Sequence, residues 1–451
     1  MKHAPGHSAG TGVSRELDRV REVAVRDKDA RFTVLLHHVT EARLRAAFAS
    51  LREDAAPGAD GIRWHDYAQD LKANIGDLYE RVQPGKYRAS PVRRVHIPEP
   101  DGRLRPLGVA SLEDKIVQRA LAEVLNAVYE AGFLGFSWGF RPGRKPRDAL
   151  DALAAGIYQR KVSWVLDADI RDFSGSLDRD WLGKFLRHRI ADERVLRLIG
   201  KWLAAGVIED GKLPEEVQGA PQGASLSPLL ANVYLHYVLD LWADWWRKRH
   251  ARGDVIITRF ADDFVMGFQY QDDAGEFLAA LRERFARAGL EPHPDKTRLI
   301  ESGRYAAARR NARGDGKPET FTFLGFTHIC ATSRKGRFWI RRATGRKRLR
   351  AKLKQVKAEL KRRRHLPVPD QGRWLASVIT GHLNYYAVPG NSEATGAFAY
   401  QARRHWHRAL SRRSQKGRIP WERMDRIARR WLPRPTIRHP YPQQRFNARY
   451  S

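Results

Sequence analysis

Residues 259–266 read Arg259-Phe260-Ala261-Asp262-Asp263-Phe264-Val265-Met266, and this stretch decides how the rest of the chain is read. Two apolar runs, Val255–Phe260 and Asp263–Phe268, flank Ala261-Asp262 and predict two strands joined by a tight turn. Adjacent carboxylates at a hairpin tip repel each other and weaken the turn. Binding divalent cations removes that conflict. A third acid from a neighbouring strand is then expected. Asp167-Ala168-Asp169-Ile170 supplies it, directly after a predicted buried strand at Ser163-Trp164-Val165-Leu166. Such a set suits two Mg²⁺ ions about 4 Å apart, one activating a 3′-hydroxyl and one holding departing phosphates. An Asp-Asp pair alone also fits a solvated acidic loop, so the surrounding sequence has to decide.

The chain has 451 residues, 42% of them apolar, which is enough for two or three domains with ample core. A charged fraction of 30% together with 13 Trp excludes a disordered chain. The single Cys330 excludes a disulfide framework and a Cys-rich zinc site. No run of 18 apolar residues appears, and Met1 to Arg15 lack the apolar stretch of a signal peptide. A soluble protein of a reducing compartment is expected. Residues 301–451 hold 37 Lys/Arg against 8 Asp/Glu, so about nine-tenths of the +32 net charge lies in one-third of the chain. Solubility does not require such asymmetry, and a compact module of that density is expected to face phosphates. Trp374, Tyr385, Tyr386, Tyr400, Trp406, Trp421 and Trp431 interleave with these charges, as base-stacking surfaces or as core.

Outward from the Asp pair, no repeat of fixed period is visible. Residues 1–30 read as a loose polar N-terminus. Leu44, Phe48 and Leu51 fall at helical spacing, and two short strands are expected around Val95-His96-Ile97 and Leu104-Arg105. Residues 112–131 carry a helical pattern. Ser227-Pro228 is expected to open a long helix with Ser227 as N-cap, its apolar face running Leu230, Val233, Tyr237, Leu241 and Trp245. A helix at 274–288 and strands near 321–328 and 337–341 complete an α+β region. Beyond residue 345 the pattern is helical and basic, until Pro433, Pro435, Pro440 and Pro442 predict an extended tail.

Several blocks follow one another in a fixed order. They are Gly58-Ala59-Asp60-Gly61, Arg105-Pro106-Leu107-Gly108, Glu113-Asp114-Lys115, Gly139-Phe140-Arg141-Pro142-Gly143-Arg144, Asp169, Gly219-Ala220-Pro221-Gln222-Gly223, Ser227-Pro228-Leu229-Leu230-Ala231-Asn232, Phe260-Ala261-Asp262-Asp263, Pro294-Asp295-Lys296-Thr297 and Phe323-Leu324-Gly325-Phe326. In this order they resemble the group II intron-encoded reverse transcriptase/maturase family over roughly residues 35–446. The resemblance implies an α+β, right-hand polymerase, with fingers and palm built on an antiparallel sheet. An all-helical, basic thumb/maturase domain follows. Residues 1–34 would be a flexible N-terminus, 35–340 the fingers and palm, and 345–451 the thumb/maturase module with its Pro-rich basic tail.

The implied activity is RNA-directed DNA polymerisation, with a second role in binding intron RNA to assist splicing and mobility. Asp169, Asp262 and Asp263 would be the ligands of two Mg²⁺ ions (Mn²⁺ as substitute), with the backbone carbonyl of Ala168 or Ile170 as a further donor. Lys296 would protonate departing pyrophosphate. Arg105 and Lys115 would neutralise triphosphate charge, and Pro221-Gln222-Gly223 would admit template and incoming nucleotide. Gly325 would let the chain approach a primer backbone, and Gly58, Asp60 and Gly61 would form the family's N-terminal loop beside template and primer. The implied partners are group II intron RNA, an RNA template/DNA primer duplex and dNTPs, with no membrane. The expected location is a bacterial-type cytoplasm, on the nucleoid when bound to DNA.

The sequence departs from the family pattern at four places. Phe260 replaces the usual Tyr and keeps its packing. Glu99 stands where a Lys is usual, which would repel a triphosphate. Ser174, five residues after Asp169, replaces an aromatic that excludes a ribose 2′-hydroxyl, unless Phe173 or a neighbour fills the gap. The Cys pairs of the relatives' H-N-H endonuclease are missing, so DNA cleavage by this chain is not expected. Two rival readings remain at this point, an RNA-binding maturase without polymerase activity and a polymerase serving host defence or spacer acquisition.

Overall fold

The computed structural model describes residues 16–98, 104–208, 224–333, 335–413 and 419–450. Its strands are β1 (Val92–Pro98), β2 (Leu104–Val109), β3 (Trp164–Ala168), β4 (Val207–Ile208), β5 (Val255–Phe260), β6 (Asp263–Phe268), β7 (Arg298–Glu301), β8 (Phe321–Phe323), β9 (Phe326–Thr332) and β10 (Phe338–Thr344). They form three sheets, ordered β2-β1-β4, β5-β6-β3-β7 and β10-β9-β8. All pairings but the short parallel β1–β4 contact are antiparallel. The chain is therefore mixed α+β.

The four-stranded sheet sits between two layers, which is why its strands read as nearly unbroken apolar runs. Side chains alternate across it. Leu166, Phe264, Met266 and Phe268 face a core shared with the helices Leu112–Tyr129, Ser227–Leu235 and Gln271–Arg287. Val165, Val265 and Ile300 face a second core with the helix Pro146–Gln159 and strands β8 to β10. The helices Arg346–Arg362, Val368–Tyr386, Ser392–Ser411 and Trp421–Trp431 enclose a core of their own around Leu360, Leu375, Leu383, Phe398, Trp406 and Met424. Among the described residues no helix is long and apolar enough to cross a membrane.

Three local expectations are corrected. From Asp18 to Arg26 the N-terminus is a helix rather than a loose segment, and Leu17, Val20 and Ala24 are buried. The helix at Ser227 begins with Leu226 in the N-cap position, not Ser227. Its predicted apolar face fails beyond Tyr237, since Leu241 is 42% and Trp245 50% exposed while Leu239, Ala243 and Trp246 are buried. The cause is one π-helical turn at His236–Asp240. A wider turn inserts a residue into the 3.6 period and rotates every later side chain to a new face.

The tail is the third correction. It has no regular structure at 432–441 but then forms the helix Pro442–Tyr450. Proline fits a first helical turn, where no intrahelical N–H is needed. This helix packs on Pro146–Gln159, where Arg445 pairs with the buried Asp151, which Arg342 also contacts at 3.0 Å.

Candidate active site

Strands β5 and β6 meet as expected, with Phe260 paired to Asp263 across the two-residue loop Ala261-Asp262. Ala261 has φ +57°, a left-handed conformation that costs a non-glycine residue about 1 kcal/mol or more. The surroundings impose it. Arg259 Nη1 donates to the Ala261 carbonyl at 3.0 Å, and the segment Phe136–Gly139 lies alongside. A Cβ on Gly139 would stand 2.4 Å from the Ala261 nitrogen, so that position must be glycine.

The remaining Arg259 donors are all satisfied below the loop. Asp240 Oδ1 and Oδ2 accept at 2.7 and 2.6 Å, Asn232 Oδ1 at 3.1 Å and Ser137 Oγ at 2.7 Å. Asn232 Nδ2 in turn donates to the Gly139 carbonyl at 2.7 Å. Arg259, Asp240, Asn232, Ser137 and Gly139 were assigned no role by the sequence. Three quoted blocks contain Arg259, Asn232 and Gly139, but nothing in the sequence marked Ser137 or Asp240.

The register of β3 brings in the third acid. Its pairs with β6 run from Trp164–Phe268 to Ala168–Phe264, and one further step sets Asp169 beside Asp263. Directly opposed side chains in such a pair have Cβ atoms about 4.5–5.5 Å apart. The pairing of β3 with β7 sets Asp167 against Arg298, whose Nη2 lies 3.1 Å from it. Continuing that register by two residues brings Lys296 to Asp169, and its amine is bonded to Asp169 Oδ2. Asp167 was not singled out by sequence as a ligand, yet it joins the same face.

Electrostatics follow from this crowding. Burial first, then the charges of Asp167, Asp169 and Asp262, push the Asp263 carboxyl well above the usual carboxylate range, opposed by Arg348. Burial likewise raises Asp167, in spite of Arg298. Hard oxygen donors gathered at this density are the chemistry that Mg²⁺ prefers, and a cation there would relieve the repulsion. The donor set therefore fits the group. Among the described residues no three acidic, His or Cys side chains are already drawn together as a finished metal cage. Ile170 is buried beyond Asp169 and bridges to Pro292.

The other expected residues scatter. Lys115 Nζ donates to the Ala56 carbonyl at 3.0 Å, and burial lowers its pKa. It stands beside the Gly58–Gly61 loop, in a groove of about 260 Å³ with Trp64 and Ile62. Gly58 is pressed against Ser111, 2.5 Å from a would-be Cβ; Gly61 has φ +71°, and Asp60 Oδ1 accepts from the Ile62 N–H at 3.3 Å. The Arg105 backbone pairs with Ile97 in the β1–β2 hairpin. Its side chain, Glu99 and Pro221-Gln222-Gly223 lie outside the described residues.

Gly325 has φ +83°, and a Cβ there would meet Tyr386 Oη at 2.8 Å and Arg348 Nη1 at 2.9 Å. Its need for glycine is thus already explained inside the protein. Ser174 is partly covered, and Phe173 turns into the core against Tyr234, their ring centres 6.3 Å apart.

Residues 97–328 match the family described as reverse transcriptase (RNA-dependent DNA polymerase). The chain is 31% identical to protein YkfC of Escherichia coli over 54% of its own length and 72% of that protein. It is 30% identical to the group II intron-encoded protein LtrA of Lactococcus lactis over 50% of its length, and 26% identical to nuclear intron maturase 1, mitochondrial, of Arabidopsis thaliana over 33%. These matches span only 38% and 20% of the two relatives.

Proposed function

This chain belongs to the reverse transcriptase (RNA-dependent DNA polymerase) family, with group II intron-encoded proteins among its relatives, and on that premise we propose that it extends a DNA primer along an RNA template. The observation that supports this reading is the β3–β6 register, which runs Asp169 up to Asp263 at one end of the β5-β6-β3-β7 sheet, next to the Ala261-Asp262 loop held by Arg259. That sheet would be the palm, the β1–β2 hairpin part of the fingers, and the helices from Arg346 onward the thumb and an RNA-binding surface.

Asp169, Asp262 and Asp263, with the Ile170 carbonyl, would hold two Mg²⁺ ions. Bound there, such ions activate a primer 3′-hydroxyl and neutralise leaving phosphates. The 3′-hydroxyl would lose its proton to solvent water as its oxygen attacks the α-phosphorus of a dNTP, and a new P–O bond would form as the bond to pyrophosphate breaks. Lys296, paired with Asp169 in the free protein, would turn toward the departing pyrophosphate and give it a proton. Arg298 pairs with Asp167 at 3.1 Å and would offset the charge of that carboxylate.

Charge supports the second activity, binding of intron RNA by the C-terminal helices. The test of the polymerase reading is primer extension on an RNA template with Mg²⁺, comparing the natural protein with Asp262→Ala. Extension should fall at least a hundredfold in the variant. Equal extension by both would remove the carboxylates from the mechanism, and RNA binding without extension by the natural protein would leave a maturase that only folds RNA.

A further inference from the structure

Seven of the aromatic residues in the basic third of the chain, from Trp374 to Trp431, could not be sorted into core and surface by sequence. The structure sorts them. Trp406 is fully buried and its Nε1 donates to Gln371 at 3.0 Å. Tyr400 and Trp421 are 49% and 44% exposed. Tyr400, Arg403, Arg404 and His407 recur at helical spacing along Ser392–Ser411, away from the buried Phe398, Ala402 and Trp406.

These side chains are stacked in advance. Trp421 lies on His407 with ring centres 4.1 Å apart and planes 20° from parallel. The Arg403 guanidinium sits between Trp421 and Tyr400, 5.5 Å from each ring centre, and is anchored by Asp425 at 2.7 Å. Next to Tyr400 opens a groove of about 380 Å³, lined by Ile379, Ala399, Leu432 and Pro433 and rimmed by Arg429 and Arg434. Among the described residues neither rim arginine has an acidic partner.

Neither Tyr400 nor Trp421 belongs to the apolar cluster of these helices. A tyrosine ring flanked by the Arg403 and Arg404 guanidiniums, 5.5 and 5.8 Å from its centre, an apolar floor and the rim arginines suit a ligand that is planar, aromatic and anionic at one end. A base inside a duplex hides both its faces and cannot enter. We propose that this groove binds one unpaired nucleotide of an RNA, its base against Tyr400 and its phosphates against Arg429 and Arg434. The proposal rests on the reading of these helices as an RNA-binding surface and adds to it a preference for bases turned out of the helix. The excess of basic residues over residues 301–451, 37 against 8 acidic, favours RNA over a peptide as the occupant.

The test uses the full chain with a labelled RNA hairpin carrying a single-nucleotide bulge, and the same hairpin fully paired, at one salt concentration. The natural protein should bind the bulged hairpin more tightly. Tyr400→Ala should lose about tenfold on the bulged RNA, the order expected for one stacked base, and leave the paired RNA unchanged. Tyr400→Phe, which keeps the ring, should bind like the natural protein, and an unchanged thermal midpoint shows that each variant is folded. Equal affinity for both hairpins, or equal loss on both in Tyr400→Ala, overturns the subsite while leaving RNA binding intact. Displacement of the bulged RNA by polyglutamate as readily as by unlabelled bulged RNA also overturns it, in favour of an acidic protein partner. If the natural protein binds neither hairpin, the broader RNA-binding reading fails with it.

Discussion

Arg259 and Asp240 form an ion pair closed to solvent, with two hydrogen bonds of 2.7 and 2.6 Å, directly beneath the loop that carries Asp262. Removing one partner from a buried pair leaves an uncompensated charge and costs about 3–5 kcal/mol. Asp240→Ala should therefore lower the unfolding free energy by that order in urea titrations. Arg259→Lys keeps the charge but cannot reach Asp240, Asn232, Ser137 and the Ala261 carbonyl together. We expect it to lower kcat for primer extension about tenfold or more, with KM for dNTP little changed. Full activity in Arg259→Lys would show that the left-handed Ala261 is maintained without it.

Lys296 is paired with the Asp169 carboxylate, and under the proposed function a cation would compete with it there. Lys296→Ala should accordingly bind Mn²⁺ more tightly than the natural protein, read by electron paramagnetic resonance, while kcat falls about 10²–10⁴-fold through loss of the proton donor. Weaker Mn²⁺ binding in the variant would mean that Lys296 assembles the carboxylates instead of guarding them.

Phe173 is committed to the core against Tyr234, so its ring does not take the place of the aromatic that Ser174 lacks. Ser174→Phe should then raise the preference for dNTP over rNTP in single-nucleotide incorporation. An unchanged ratio would end the idea that position 174 senses the 2′-hydroxyl.

Burial holds three histidines neutral, lowering His236 to about 4, His328 to about 3 and His382 to about 4. Each folded-state value lies below that of the unfolded chain, so the unfolded chain takes up protons first as pH falls. The stability these groups contribute is complete above about pH 6.5 and declines as pH drops toward 4, by about 1.4 kcal/mol for each full unit of displacement. His328 stacks on Phe321 with ring centres 4.7 Å apart. His328→Phe should keep that stacking and flatten the decline between pH 6.5 and 5, measured by denaturant unfolding at each pH. A slope identical to that of the natural protein would assign the acid sensitivity to other groups.

The β5–β6 hairpin and the strand that ends just before Asp169 were legible from sequence because both signals are local: an apolar run of strand length and carboxylates where such a run ends. The basic C-terminal helices were legible for the same reason, as composition and periodicity. The rotated face after His236 was not, since a single π turn leaves no mark on composition and shifts every position beyond it. Gly325 looked like a point of approach for a ligand, and only the fold shows Tyr386 and Arg348 filling the space above it.

Sequence alone determined which chemical groups the protein owns and the short elements that carry them, because side-chain alternation and turn preference act over a few residues. Tertiary structure alone decided who meets whom: Lys296 on Asp169, Asp240 under Arg259, the last helix on Asp151. Those partners are 127, 19 and 294 residues apart. Pairing energies depend on separation and on exclusion of water, and neither quantity exists until the strands are in register and the layers have closed over them.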